Sequence, residues 1–393
     1  MRFNFKLKVK KAIIVILGII LLSVTLSYYA NTPDHLDEIS SDTINLKGSG
    51  ISDRIHINNN WTATIAEGIC TGNGTYSDPY IIKDFIITTF PKPGILVENS
   101  NAYLIIENCT IGHASDPYGG IELVNVNNSQ IINNDCTQNY YGILLKYCNN
   151  NTISGNIASD TEGFGYTLGY GIYLSHCKKN IITENTANYS GYLGIGLSYC
   201  EDNIIQGNIA NNGEKGTGIG LGYCNNSRIM GNIVKNIGIG SSSIFISGIE
   251  LVYCENNVIS DNILSSNNGA GIKITNSAHN TISGNTISNN RYGIWLWYSS
   301  SYNMIIGNII NTNTYYGIYL SDKSNHNLIL GNNLLENGIY EEYDCNWNLY
   351  SNNGLYIYIG TPYSEILLYS SLAIFGVVVV VILEIHRRRT QRL

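Results

Sequence analysis

One dipeptide keeps returning at nearly fixed intervals. Gly-Ile or its equivalent begins at Gly94, Gly120, Gly142, Gly171, Gly194, Gly218, Gly248, Gly271, Gly293 and Gly317, at spacings of 22 to 30 residues. A self-similar period of this size marks a solenoid, whose units bury their apolar sides only against their neighbours. Typical units read GILLKYCNNNTISGN from Gly142, GIGLSYCEDNIIQGN from Gly194 and GIKITNSAHNTISGN from Gly271. Within each unit apolar residues alternate with a period of two, which selects short strands over the helices of a leucine-rich repeat. Strands turned by Gly or Asn predict an all-β chain, a right-handed single-stranded parallel β-helix of about ten coils. At ~4.8 Å per coil the stack is roughly 48 Å long.

Identical residues recur in register. Asn108, Asn134, Asn156, Asn185, Asn208, Asn232, Asn262, Asn285, Asn308 and Asn332 hold one site in ten units. Asn151, Asn180, Asn203, Asn257, Asn280, Asn303 and Asn327 form a second column that Ser227 interrupts. Asn tolerates left-handed backbone, and its amide can bond the Asn one coil above and below. Cys148, Cys177, Cys200, Cys224 and Cys254 form a third column, continued by Ser277. Parallel neighbours in one column point the same way, so the expectation is buried small hydrophobes rather than disulfides or a zinc tetrahedron. Inward aliphatics are Ile143 and Leu145, then Ile172 and Leu174, then Ile195 and Leu197.

The ends differ from the repeat. Residues 1–30 are a basic tail followed by an apolar run from Ala12 to Ala30, read as a signal anchor or a cleaved signal peptide. Residues 366–385 form a second apolar run, long enough to cross ~30 Å of hydrocarbon, and the basic tail 386–393 follows. Basic flanks stay in the cytoplasm, so the expectation is a membrane protein with the bulk of the chain on the extracytoplasmic side. Between the runs lie a linker (31–54), an N-terminal cap (55–92), the repeats (93–350) and a C-terminal cap with juxtamembrane linker (351–365).

Charge narrows the partners. The tails carry nine of the 22 Lys and Arg and one of the 29 acids, leaving 13 − 28 = −15 outside. A surface of that sign repels phosphate backbones, which excludes nucleic acid as a partner. Only 13 % of residues are charged, against ~25 % in an average globular protein, while 30 Tyr are present. Disorder is excluded by the abundance of apolar and aromatic residues.

The units resemble the repeats of NosD-like proteins, periplasmic accessory proteins of nitrous oxide reductase, and of carbohydrate-binding and sugar-hydrolase (CASH) β-helix domains. GNTISNNRYGIWL from Gly284 to Leu296 is especially similar, and the resemblance covers about residues 55–350. It implies the fold, and it implies two functions as alternatives: polysaccharide modification as lyase, epimerase or hydrolase, or accessory service to a copper enzyme. The residues supply neither chemistry. Outward positions two and four after each Gly bring no two carboxylates together, Lys273 near Arg291 is the nearest lyase pair, and Asp78-Pro79 and Asp116-Pro117 lack the His of an epimerase-like motif. His279 and His326 are one whole coil apart, with Tyr302 between them, so no convergent copper or other metal set forms. No catalytic residue and no cofactor is assigned.

What remains is aromatic. Tyr147, Tyr199, Tyr223, Tyr253 and Tyr298 repeat one position before the Cys column, with His176 and Asn276 in the gaps. Tyr292, Trp295, Trp297, Tyr298, Tyr315, Tyr316 and Tyr319 crowd the C-terminal coils. Outward Trp at alternating strand positions marks a contact surface. The expectation is a non-enzymatic module that binds a glycan or a cell-surface protein through Trp295, Trp297, Tyr292, Tyr298, Tyr316 and Tyr319.

Overall fold

The computed structural model describes residues 51–52, 54–88, 91–161, 169–239, 241, 243–353, 356–360 and 367–368. Three parallel sheets wind around one apolar core. The broad sheet has 14 strands, mostly of six residues, such as Tyr141–Lys146, Tyr170–Ser175 and Leu193–Ser198. The second sheet has 12 three- or four-residue strands, one per coil, so about eleven full turns separate its ends. The third face runs from a 3-stranded sheet through single bridges at Asp135, Ile157, Thr186 and Ile209 to a 5-stranded sheet.

Register follows the repeat: Ile143 lies beside Ile172, Ile172 beside Ile195 and Ile195 beside Ile219. These Ile side chains, with Leu145 and Leu174, have no exposed surface. The Gly of each Gly-Ile pair sits where the strand meets the next coil. At Gly271 a Cβ would lie 2.5 Å from Ile287 and 2.9 Å from the Gly293 carbonyl oxygen, so no other residue fits.

Each coil turns at left-handed residues, and the residue after each one points inward. In one coil these are Tyr253, Asn256, Asp261 and Ser266, with φ of 55°, 58°, 57° and 58°. The residues that follow, Cys254, Asn257, Asn262 and Asn267, are all buried. Left-handed backbone costs an ordinary L residue roughly 1–2 kcal/mol, and the bonds made by the next residue offset it. Asn185 shows the pattern. Its Nδ2 donates to Asn208 Oδ1 (3.0 Å) and to the Ile153 carbonyl (2.9 Å), while its Oδ1 accepts from Asn156 N and Nδ2 (both 2.9 Å). The same links tie Asn208 to Asn232, Asn232 to Asn262 and Asn262 to Asn285.

The Cys column bonds in the same way. Cys148 N donates to Cys177 Sγ (3.3 Å), Cys177 N to Cys200 Sγ (3.4 Å), and Cys200 N to Cys224 Sγ (3.3 Å). Cys224 N donates to Cys254 Sγ (3.3 Å) and Cys254 N to Ser277 Oγ (2.9 Å). These thiols are therefore acceptors in a ladder as well as apolar filler, and all nine cysteines are free and buried.

A further Asn column, not anticipated, lies five residues after the main one. Asn267, Asn290, Asn313 and Asn337 are linked head to tail, each Nδ2 donating to the next Oδ1 at 3.0–3.1 Å. The +5 spacing was visible in the sequence. In the central coils Thr161, Ser190, Gly213 and Ile237 hold this place, and the buried hydroxyls of Thr161 and Ser190 have no hydrogen-bond partner.

The ends depart from expectation. Residues 55–92, expected as a cap, pair as a coil: Ile55–Asn58 lies parallel to Ile95–Ser100 and Tyr80–Lys83 to Leu104–Glu107. A short helix, Trp61–Ala66, is inserted in that coil, with Trp61 stacked on Tyr80 (4.2 Å) and bonded through Nε1 to Ser100 Oγ (3.0 Å). At the other end Tyr356–Gly360 stacks parallel on Ile339–Glu342, so coils continue past residue 350. The apolar runs 12–30 and 366–385 lie outside the described residues, except Leu367–Leu368. Those two pair antiparallel with Tyr356 and Ile357 as strand, not as the start of a helix. Among the described residues no helix is long and apolar enough to cross a membrane.

Candidate binding face

The outer side of the broad sheet carries the residues singled out in the C-terminal coils. Lys273 lies beside Trp295, Thr275 beside Trp297, Trp295 beside Tyr319 and Tyr292 beside Tyr316 in neighbouring strands. Trp295 and Trp297 do point outward from the sheet, but they are only 5 % and 7 % exposed, which corrects the expectation of wet indole faces. Three things cover them. The Phe245 ring, from the preceding loop, stacks on Trp297 at 5.3 Å and on Trp295 at 6.3 Å. Tyr292 and Tyr319 flank Trp295 at 5.0 and 5.5 Å. Tyr298 meets Trp297 edge-on at 5.2 Å. Both indole N–H groups are committed, Trp295 Nε1 donating to Ser321 Oγ (2.9 Å) and Trp297 Nε1 to Asp322 Oδ2 (2.6 Å).

Lys273 is buried among these rings. Its ammonium lies 4.5 Å from the Trp297 ring centre, 5.2 Å from Phe245 and 5.5 Å from Trp295, within cation–π range of each. It pairs with Glu250 on the adjacent strand at 3.0 Å, and Glu250 Oε2 also accepts from Thr217 Oγ1 (3.2 Å). A lysine so held is a partner of Glu250 and not the free base that a Lys273–Arg291 lyase pair would require.

Two carboxylates, Asp322 and Glu342, do lie on this face, Asp322 Oδ2 bonded to Trp297 and Glu342 to the adjacent coil's groups. The outward positions of the regular units miss them, because Asp322 falls just past its strand and Glu342 lies in the coil after Gly338. Tyr319 OH donates to Glu342 Oε1 (2.6 Å), and Asp322 N donates to Glu342 Oε2 (3.3 Å). Burial raises the Asp322 pKa, the charge of Asp344 adds to the rise, and the Trp297 N–H opposes it. Burial and the Glu342 carboxylate push the Tyr319 phenol well above its ordinary range.

Around this centre the tyrosines stay partly open. Tyr315 is 55 % exposed, and Tyr292, Tyr298, Tyr316, Tyr319 and Tyr340 are half-buried. Tyr316 stacks on Tyr340 at 4.6 Å.

The Tyr147 column is different. Tyr147, His176, Tyr199, Tyr223 and Tyr253 stack on one another at 4.8–5.0 Å. Stacked rings spend their faces on each other and show only edges to solvent, so the column packs along the coil corner and offers no sugar platform. A second stack runs His279, Tyr302, His326 and Trp347, at 5.4, 4.9 and 6.3 Å. Tyr302 is sandwiched between the two His rings, so they cannot share a ligand.

The chain belongs to the right-handed β-helix family, whose profile matches residues 42–169, 166–310 and 242–366. Membership stands at that broad level. No curated protein matches the chain. Among solved structures the periplasmic alginate epimerase AlgG is similar, with a TM-score of 0.52 and 15 % identity over 78 % of this chain and 85 % of the other. Dettilon tailspike protein is similar at a TM-score of 0.50 and 19 % identity, over 72 % of this chain and 62 % of the tailspike. At these identities the likeness is one of fold.

Proposed function

We propose that this protein is a cell-surface β-helix that binds a glycan on the outer face of the broad sheet, anchored to the membrane by the apolar runs at its ends. The observation that carries the reading is the grouping of partly open tyrosines, Tyr292, Tyr298, Tyr315, Tyr316, Tyr319 and Tyr340, around a rigid Trp295–Trp297 centre. Rings braced from beneath lose little entropy when a sugar settles on them, and the neighbouring Ser, Asn and carboxylate groups accept its hydroxyls. The similar epimerase is named for alginate, a uronic-acid polymer. A net charge of 13 − 28 = −15 outside the tails, with Lys273 neutralised by Glu250, favours an uncharged glycan here instead.

Binding to arrayed oligosaccharides tests the reading. The wild type retains neutral glycans, and Tyr292→Ala with Tyr316→Ala loses them. Equal binding by the two proteins overturns it. One observation favours a second reading, glycan hydrolysis: the Glu342 carboxylate, held by Tyr319 OH and the Asp322 backbone N–H, lies on the same face as the Asp322 carboxylate on Trp297 Nε1, and glycosidases in most families use two carboxylates. New reducing ends released by the wild type but not by Glu342→Gln would support it.

A further inference from the structure

Away from the tyrosine face, the outer side of the second sheet exposes aliphatic side chains. In its three-residue strands the central residue points inward and the two flanking ones outward, as in Met304–Ile306, where Ile305 has no exposed surface. The last five strands, Val258–Ser260, Thr281–Ser283, Met304–Ile306, Leu328–Leu330 and Leu349–Ser351, put ten residues outward, and none is charged. Ile181, Met304 and Leu349 are all exposed. A face poor in charge and rich in aliphatics, Met among them, marks a protein–protein contact.

The two corners that border this face are unlike, and they fit one another. Left-handed residues turn the chain where it enters the sheet and again five positions later, where it leaves. On the entry side His279, Tyr302, His326 and Trp347 stand in one stacked column, with Tyr302 and Trp347 both 52 % exposed. On the exit side the first three of those coils carry Gly284, Gly307 and Gly331. A Cβ at Gly307 or Gly331 would meet nothing within 4 Å. The turn itself does not demand glycine, since Asn133, Glu184 and Asp261 hold the same place with φ of 54°, 57° and 57°. No contact inside the chain accounts for the bare corner; a ring laid against it from outside does.

We propose that this face pairs with the same face of a second copy of the chain, about a two-fold axis parallel to the stack of coils. Such an axis keeps each coil level with its twin and sets entry corner against exit corner. Tyr302 and His326 of each copy then lie over Gly307 and Gly331 of the other, Met304 and Leu328 over Ile306 and Leu330, and Lys179 beside Glu184. In no coil from Asn128 to Asn352 do the two corners carry charges of like sign. That condition decides the matter for a chain with 13 − 28 = −15 outside its tails: the other acids sit off the contact, where salt screens them beyond ~10 Å. A lipid surface would ask for no such match between corners. Twelve strands at ~4.8 Å, about 16 Å across, give roughly 800 Å² per copy, the share of a standard interface. The pairing goes beyond the glycan-binding reading and stands without it. The tyrosine face lies on the broad sheet, another side of the coil, so both copies keep theirs open.

Sedimentation of the full-length chain in detergent tests the pairing. The wild type is expected to run as a dimer at micromolar concentration. Leu328→Glu with Leu330→Glu sets carboxylates against carboxylates across the axis and is expected to weaken that dimer at least about tenfold, with circular dichroism unchanged. Cross-linking supplies a second arm that needs no loss of stability. The native cysteines are buried, so oxidation should join a mixture of Tyr302→Cys and Gly307→Cys chains into a covalent dimer and leave either variant alone unlinked. A wild type that is not a dimer, a dimer that the glutamates leave intact, or a mixture that links no better than its components overturns the pairing. A monomer that floats with phosphatidylcholine vesicles also overturns it and gives the face to lipid. Glycan retention by the glutamate variant is read separately, so the two proposals fail independently.

Discussion

A single ladder asparagine serves three coils. Asn208 accepts from Asn185 N and Nδ2, and donates to Asn232 Oδ1 and to the Ile182 carbonyl, all at 2.9–3.0 Å. Truncation strands several buried groups at once, so Asn208→Ala should lower unfolding stability by about 3 kcal/mol in urea titration. The thiol ladder makes a finer point. Ser277, Ser300 and Ser324 continue the Cys column with hydroxyls in the same role: Ser277 N donates to Ser300 Oγ (3.4 Å) and Ser300 N to Ser324 Oγ (3.3 Å). Cys200→Ser should therefore stay within about 1 kcal/mol of wild type, with Cys200→Ala the more damaging change because Cys177 N loses its acceptor. At the C-terminal end Glu341 replaces the core leucine: it is 5 % exposed and accepts from Asn348 Nδ2 (2.9 Å) and Tyr350 OH (2.8 Å). Burial raises its pKa despite those two donors. A raised folded-state carboxyl pKa means the folded protein binds that proton more tightly, so this residue destabilises above its folded pKa and ceases to do so as pH falls through it. Glu341→Gln, whose amide can donate to the Tyr350 oxygen, should melt higher than wild type at neutral pH, and the gap should close on acidification.

At the scale of the coil, the corners decide where loops leave. The ladder five residues after the main Asn column is intact at Asn267, Asn290, Asn313 and Asn337, where the connections back to the broad sheet are short. It is broken at Thr161, Ser190, Gly213 and Ile237, and the longest connections leave from Thr161 and Ile237. Ser190→Asn should bridge toward Thr161 and satisfy an orphaned site, raising the melting midpoint by the equivalent of about 1 kcal/mol. The strands were legible from the repeat, because side chains alternate across a strand and columns of Ile, Asn and Cys can arise only from stacking. Trp295 and Trp297 were legible as outward residues for the same reason. Their burial was not, since Phe245 lies some fifty residues earlier, in a segment with no period to place it. The bond from the Asp322 backbone N–H to the Glu342 carboxylate escaped for a related reason, as both lie where the unit departs from its regular length. Small residues on the broad sheet obey local packing too: a Cβ at Gly196 would come within 2.8 Å of Leu193 and 2.9 Å of Tyr173, so the flat patch is a seat for their side chains.

For the stack of coils as a whole, each turn touches only its neighbours, and stability is close to a sum of like terms. Asn257 and Asn280 are equivalent places one coil apart, 23 residues along the chain. Deleting residues 257–279 joins Asn256 to Asn280 in register and removes one full turn together with Lys273 and Thr275. The shortened protein should keep its β-sheet circular dichroism and unfold cooperatively, with a denaturant m-value lower by about a tenth. An unfolded product would contradict the nearest-neighbour description. Sequence alone determined the winding, the register and the identity of the inward columns, because a repeating unit can bury itself only against its own copies and so writes its neighbours into its period. Tertiary structure decided what the outer face presents, because the Phe245 segment and the last coils are unique pieces of chain, and where they come to rest depends on contacts between residues that no repeat relates.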